Sequence, residues 1–126
     1  MSSTSWILYA LILTGILAFA IMRRKGQIST KEGTELARHG AMVIDVRSPE
    51  EYSAGHLSQA LNMPVDEIAS LLPSRVRDKS KVILLHCKTG LRSKKARSLL
   101  VNQGYSNVFD MGSYERAFKI VSGRNL

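Results

Sequence analysis

Val82-Ile83-Leu84-Leu85-His86-Cys87-Lys88-Thr89-Gly90-Leu91-Arg92-Ser93 is the stretch on which the fold turns. Four consecutive apolar residues, entered from Lys81 and left through a basic segment with a glycine, read as a buried strand of the parallel kind. Cys87 stands at its carboxyl end. A helix follows whose inward face is Ala96, Leu99 and Leu100, at i, i+3 and i+4, and Gly104 ends it.

Upstream, Met42-Val43-Ile44-Asp45-Val46 is a second compact apolar run between turn signals and reads as a second buried strand. Ser29-Thr30-Lys31-Glu32 has the form of a capping box and starts a helix that runs to about His39, with Gly40 just beyond its end. Ser48-Pro49-Glu50-Glu51-Tyr52 opens a helical turn with Pro49 at its first position. Ala60-Leu61-Asn62-Met63 is a weak strand stopped by Pro64, and Ile68, Leu71 and Leu72 share a helix face that Pro73 limits. Downstream, Val108-Phe109 is a third strand candidate. Tyr114 to Val121 forms a closing helix, and Ser122 to Leu126 a tail. No internal repeat or low-complexity tract is visible. Strands alternating with short helices mean an α/β fold with a mainly parallel central sheet. Ligands of such sheets sit beyond the carboxyl ends of the strands, where Cys87 is placed.

The N-terminus has a different character. From Trp6 to Met22 there is no charged residue, and only Thr14 and Gly15 interrupt Ile, Leu, Ala, Phe and Tyr. A membrane-crossing helix needs roughly 20 residues, with about 17 as a lower limit. A secretory signal peptide would carry a basic leader, which Met1 to Ser5 lacks, although Ala18-Phe19-Ala20 resembles a cleavage site. A buried core helix would show a polar face. The segment is therefore read as an uncleaved transmembrane anchor over residues 6–22. Arg23-Arg24-Lys25 follows directly, and positive flanks stay in the cytoplasm. This predicts a single-pass protein, of bacterial inner-membrane type, with residues 1–25 as anchor and flank and residues 26–126 as a cytoplasmic domain.

All 18 basic and 10 acidic residues lie beyond Met22, so this domain carries the formal charge of +8. That balance favours anionic partners: small oxyanions, lipid headgroups or nucleic acid. Nucleic acid is disfavoured, because no aromatic residues are interleaved with the basic ones. One cysteine rules out an intramolecular disulfide framework.

The Cys87 segment carries the chemistry. Curled between strand and helix, its backbone N–H groups can point at the sulfur as an anion-binding nest. The N-terminus of the following helix adds positive potential. Lys88, Arg92, Lys94, Lys95 and Arg97 add charge, with no acidic residue between Cys87 and Arg97. Each effect favours thiolate over thiol, and Gly90 supplies backbone freedom for the curl. A free cysteine is often no more than a small buried hydrophobe; the basic loop that follows argues for a nucleophile here. Lys94, Lys95 and Arg97 belong to the solvated helix face, whereas Arg92 closes the loop. His86 should point to the opposite side of the sheet from Cys87. His39 falls on the surface, and the three histidines and one cysteine show no metal-ligand spacing.

From about Ile28 onward the chain resembles the single-domain rhodaneses, the thiosulfate sulfurtransferase family. Ile44-Asp45-Val46-Arg47, Glu51-Tyr52, Gly55-His56-Leu57 and Ala60-Leu61-Asn62-Met63-Pro64 resemble the family's N-terminal signature. Cys87-Lys88-Thr89-Gly90-Leu91-Arg92-Ser93 resembles its active-site loop. Cys87 to Arg92 spans six residues, the length usual for these sulfurtransferases, and the related phosphatases have one more. Ser93 stands where a phosphatase would have Arg. The resemblance implies a rhodanese-like fold in which the Cys87 thiolate takes the outer sulfur of an anionic donor such as thiosulfate. The resulting persulfide then passes sulfur to a thiol, to cyanide or to a sulfur-accepting protein. Lys88, Thr89, Gly90, Leu91 and Arg92 would form the loop, with Arg92 and Lys88 receiving the donor. Asp45, Arg47, Glu51 and His56 would be structural support, with Arg47 paired to Glu51, and no cofactor or metal is called for. Two departures stand out: Gln59 occupies a position where glycine is common, and Met111-Gly112-Ser113-Tyr114 lacks the usual Trp. A rhodanese-like sensing or docking module without turnover is the alternative. The intact Cys87, Gly90 and Arg92 favour the enzyme.

Overall fold

The computed structural model describes residues 3–24 and 26–123. Lys25 of the basic flank and positions 124–126 of the tail lie outside them. The elements in order are α1 (Ser3–Arg24), α2 (Thr30–Arg38), β1 (Met42–Asp45), α3 (Pro49–Ala54), β2 (Ala60–Asn62), α4 (Ile68–Arg75), β3 (Ile83–His86), α5 (Leu91–Asn102), β4 (Val108–Gly112) and α6 (Tyr114–Ser122).

The four strands form one parallel sheet in the order β2-β1-β3-β4. Parallel strands need crossover connections, and each pair here is separated by a helix that covers a sheet face. Both faces are therefore buried, which is why β3 reads as an unbroken apolar run with all four residues buried. Alternation assigns the side chains to two cores. Ile44, Val46, Ile83, Leu85 and Cys87 pack on one face with Ile68 and Leu72 of α4 and Ala96 and Leu100 of α5. Val43, Leu84 and Met111 pack on the other with Ala117 and Ile120 of α6 and, partly buried, Leu36 of α2.

Local signals act as expected at several ends. Ser29 caps α2, its hydroxyl accepting the Glu32 N–H at 3.2 Å. Ser48 and Glu51 form a reciprocal capping box at the start of α3, with Pro49 in its first turn. Two boundaries differ from the expectation. Pro73 does not end α4, which continues to Arg75 with the proline inside it. Proline has no N–H for the Ala69 carbonyl one turn earlier, and Gln103 from the end of α5 supplies that bond instead, Nε2 to oxygen at 2.7 Å. Ser122 belongs to α6, which Gly123 closes at φ +65°.

Helix α1 packs none of its apolar surface into the domain. Trp6, Leu13 and Leu17 are each more than 60% exposed, and the Thr14 hydroxyl is satisfied inside the helix by the Ala10 carbonyl at 2.7 Å. Among the described residues it is the one helix long and apolar enough to cross a membrane, by length and composition. An apolar patch of that size left bare needs a cover that the domain does not provide.

Candidate active site

β3 ends at His86, and Cys87 is the first residue beyond it. Its N–H donates to the Gly112 carbonyl at 3.0 Å, so the sheet ladder is still in force where the loop begins. The loop then turns back on itself. Gly90, at φ +104°, donates its N–H to the Cys87 sulfur at 3.0 Å, and α5 starts at the next residue. The left-handed conformation that aims this N–H costs an L-residue with a Cβ roughly 1–2 kcal/mol. A sulfur in line with the first turn of a 12-residue helix also feels the positive end of its dipole.

Sequence reasoning missed Ser93. Its side chain is buried in the first turn of α5, with Oγ 3.5 Å from the Cys87 sulfur and bonded to the Gly90 carbonyl at 3.3 Å. A hydroxyl six residues after the cysteine was legible as a position, but its inward aim depends on where the loop places the helix start. Cys87 itself is fully buried. The loop is held from outside by the Tyr114 N–H to the Lys88 carbonyl at 3.3 Å and by a bridge between Thr89 and Ser113.

The charged residues sort themselves differently from the expectation. Arg47 does not pair with Glu51. It grips Asp45, Nε lying 3.0 Å from both carboxylate oxygens and Nη2 2.6 Å from Oδ2. Nη2 also donates to the Gly55 carbonyl at 2.8 Å, and the guanidinium lies 4.9 Å from the centre of the Tyr114 ring. The bonds to Asp45 raise the Arg47 pKa against the cost of burial. Asp45 is the last residue of β1, two residues from Arg47, and its Oδ1 takes the Arg47 backbone N–H at 2.9 Å. The short spacing makes this local pairing the cheaper one.

Glu51 is thereby free for Arg92. Two bonds join them, Nη1–Oε1 at 2.5 Å and Nη2–Oε2 at 3.0 Å. Arg92 consequently faces a carboxylate rather than standing open to a donor, and its guanidinium pKa rises through that bond. The same bond holds the Glu51 carboxyl at about 2. Lys88 and Thr89 stay exposed, and Leu91 is 48% exposed at the rim.

A cleft of ≈ 450 Å³ opens beside the loop, lined by Arg47, Glu51, Ala54, Gly55, Lys88 and Tyr114. Tyr114 thus occupies the mouth region where the Trp was missing in the sequence. His56 sits away from this lining. It is exposed, stacked on the Tyr52 ring at 3.7 Å, with Nδ1 2.8 Å from the Tyr52 carbonyl. His86 points across the sheet from Cys87, as alternation requires, and lies buried edge-on to Tyr114 with Nδ1 3.1 Å from the Cys87 carbonyl. Burial lowers its pKa more strongly than nearby Asp45, 3.7 Å away, raises it.

Cys87 is thus a buried sulfur at the carboxyl edge of a parallel sheet, in a tight loop that runs directly into the N-terminus of α5. Residues 29–116 fit the model of the rhodanese-like domain. The chain belongs to the rhodanese-like family. It is similar to the thiosulfate sulfurtransferase GlpE of Pseudomonas entomophila, with 34% identity over 90 residues, 71% of this chain and 81% of that one. It is also similar to the thiosulfate sulfurtransferase PspE of Escherichia coli, with 35% identity over 69 residues, 55% of this chain and 66% of that one. Among solved structures, a human single-domain sulfurtransferase superposes with TM-score 0.64 at 29% identity, covering 75% of this chain and 96% of its own. An E. coli rhodanese solved with anions gives TM-score 0.58 at 31% identity, covering 61% and 91%. The family match begins at Ser29, so α1 lies outside it.

Proposed function

We propose that this protein is a membrane-anchored sulfurtransferase that carries sulfur on Cys87. The observation that carries the reading is the Gly90 N–H directed at the Cys87 sulfur, in a loop that ends in the N-terminus of α5. That arrangement stabilises negative charge on sulfur in the resting thiolate and in the persulfide.

The chemistry takes two steps. The Cys87 thiolate attacks the outer sulfur of an anionic donor such as thiosulfate. A new S–S bond forms, the donor's S–S bond breaks, and sulfite leaves with the electron pair. The enzyme is then Cys87–S–S⁻. A thiol, cyanide or the thiol of an acceptor protein attacks the outer sulfur, the enzyme S–S bond breaks, and Cys87 leaves as thiolate. A persulfide adds an outer sulfur about 2.05 Å beyond the buried Sγ. Lys88 is the residue placed to meet the anionic donor, while Arg92, held by Glu51, keeps the loop closed. Asp45, Arg47 and Tyr114 support the far wall of the cleft. Residues 6–22 anchor the chain, and residues 26–126 work on the cytoplasmic side.

The full chain in detergent, incubated with thiosulfate, should gain the mass of one sulfur atom and then convert cyanide to thiocyanate. Cys87→Ser should do neither, and transfer activity surviving in that variant sinks the mechanism. Absence of sulfur uptake by the wild type from every donor tried would favour the sensing or docking module instead. A reporter fused after Leu126 should be active in the cytoplasm.

A further inference from the structure

The chain enters the catalytic domain at the same edge of the sheet that carries the nucleophile. Gln27, just past the joint, forms a parallel bridge with Asp110 near the carboxyl end of β4. Its side chain is wedged against the loop: a Cβ on Gly90 would lie 3.0 Å from Gln27 Nε2, and one on Gly112 only 2.5 Å from it. Met22, the last apolar residue of α1, is five positions earlier. Fully extended, five residues span at most about 18 Å. Whatever holds Met22 therefore holds Gln27 within that distance, and with it the Cys87 loop that the Gln27 side chain touches. In the structure the separation is closed by a direct contact, Lys94 Nζ donating to the Met22 carbonyl at 2.6 Å.

Lys94 identifies the face concerned. It lies one turn after Leu91 on α5, so the two share a helix face. That face and the adjoining loop present Lys88, Lys95 and the 48% exposed Leu91. Cations around an apolar tip, at the end of an apolar helix, match a surface of anionic headgroups over a hydrocarbon layer. The Debye length of about 8 Å at physiological salt puts such cations in range of headgroups only if the face lies close to them.

We infer that the Cys87 face of the domain, through Leu91, Lys94 and Lys95, rests on the anionic surface of the bilayer that α1 crosses. The inference rests on the anchor reading of residues 6–22. It makes the sulfur partner a molecule or protein group presented at the membrane surface, and it leaves the opposite end of α5, at Asn102, in water.

The test uses the full chain in lipid nanodiscs, with the Cys87→Ser background freeing a single introduced cysteine for a spin label. Labels at Leu91→Cys and Asn102→Cys are compared by collision with oxygen, which partitions into lipid, and with a water-soluble nickel chelate. In discs containing phosphatidylglycerol, the oxygen-to-nickel ratio at position 91 should exceed that at position 102 several-fold. The difference should shrink in phosphatidylcholine discs, at high salt, and with Lys94→Glu plus Lys95→Glu. Equal, water-like ratios at both positions in a chain that co-purifies with the disc overturn the inference. Failure to enter discs overturns it together with the anchor. Neither result touches the sulfur-transfer reading, because wild-type transfer from thiosulfate to cyanide is measured separately in detergent.

Discussion

Glu51 and Arg92, 41 residues apart in the chain, meet in a two-point ion pair that ties α3 to the first turn of α5. The same Glu51 carboxylate accepts the Ser48 N–H at 3.2 Å, so one side chain caps a helix and braces the start of α5 beside the Cys87 loop. Both side chains are about one third exposed, which limits the pair to about 1 kcal/mol of stability.

The first prediction follows from the depressed Glu51 pKa. A carboxyl held at about 2 stabilises the fold fully above its unfolded value, roughly 4.3, and loses that contribution as pH falls toward 2. Glu51→Gln should lower the urea midpoint above pH ~5 and match the wild type near pH 2. Arg92→Lys, which replaces a planar fork by a point charge, should reduce kcat/KM for thiosulfate about tenfold. Unchanged kinetics in that variant would remove Arg92 from the loop's support.

Two glycines separate backbone strain from chemistry. Gly40 and Gly90 both have positive φ, +87° and +104°, but a Cβ at Gly40 meets nothing within 4 Å. Gly40→Ala should cost about 1 kcal/mol in denaturant unfolding and leave the rate alone. Gly90→Ala should cost at least as much and also lose sulfur transfer by tenfold or more, because its N–H is the one aimed at the sulfur. Equal activity in the two variants would contradict the proposed role of that N–H.

His86 supplies a pH signature. Its folded-state pKa lies below 6.5 because burial outweighs the attraction of Asp45. The unfolded chain therefore binds a proton first, and stability falls as pH drops below about 6.5. His86→Gln should flatten the pH dependence of Tm between pH 7 and 5. A wild-type Tm that is level across this range would show that His86 does not resist protonation.

Asp110 works in the opposite sense. It is buried beneath the loop, with Oδ1 taking the Gly112 N–H at 2.8 Å, and burial raises its pKa despite Ser93, Arg116 and Arg97 nearby. For a raised carboxyl, stability declines as pH climbs from the unfolded value, roughly 3.9, through the folded one. Asp110→Asn keeps an acceptor for Gly112 and removes the buried charge, so its urea midpoint at pH 7 should equal or exceed that of the wild type. A loss of more than about 2 kcal/mol would mean that the charge itself is required there.

Much of this protein was legible along the chain because the signals are local. The apolar run Ile83-Leu84-Leu85 has the length and character of a strand buried on both faces. Ser29, Ser48 and Pro49 mark helix starts through groups within three residues of themselves. Pro73 misled because its disruption is repaired by Gln103, which no window around the proline contains. His56 binds the Tyr52 carbonyl four residues away and stands outside the cleft lining.

Sequence alone determined the parallel α/β order and the apolar N-terminal helix, and it put Cys87 at a strand end before a basic segment, since each depends on residue type and spacing over a few positions. The tertiary structure decided which acid meets which base. Glu51 was the expected partner of Arg47, but a charge interacts with whatever opposite charge the fold brings within hydrogen-bond reach. Strand order set β1 beside β3 and brought Arg92 at the start of α5 within reach of Glu51 on α3, which left Glu51 to Arg92 and Asp45 to Arg47. The same packing turned Ser93 inward to the sulfur and set Gln27 against Gly90, because those contacts depend on distances that only the folded chain defines.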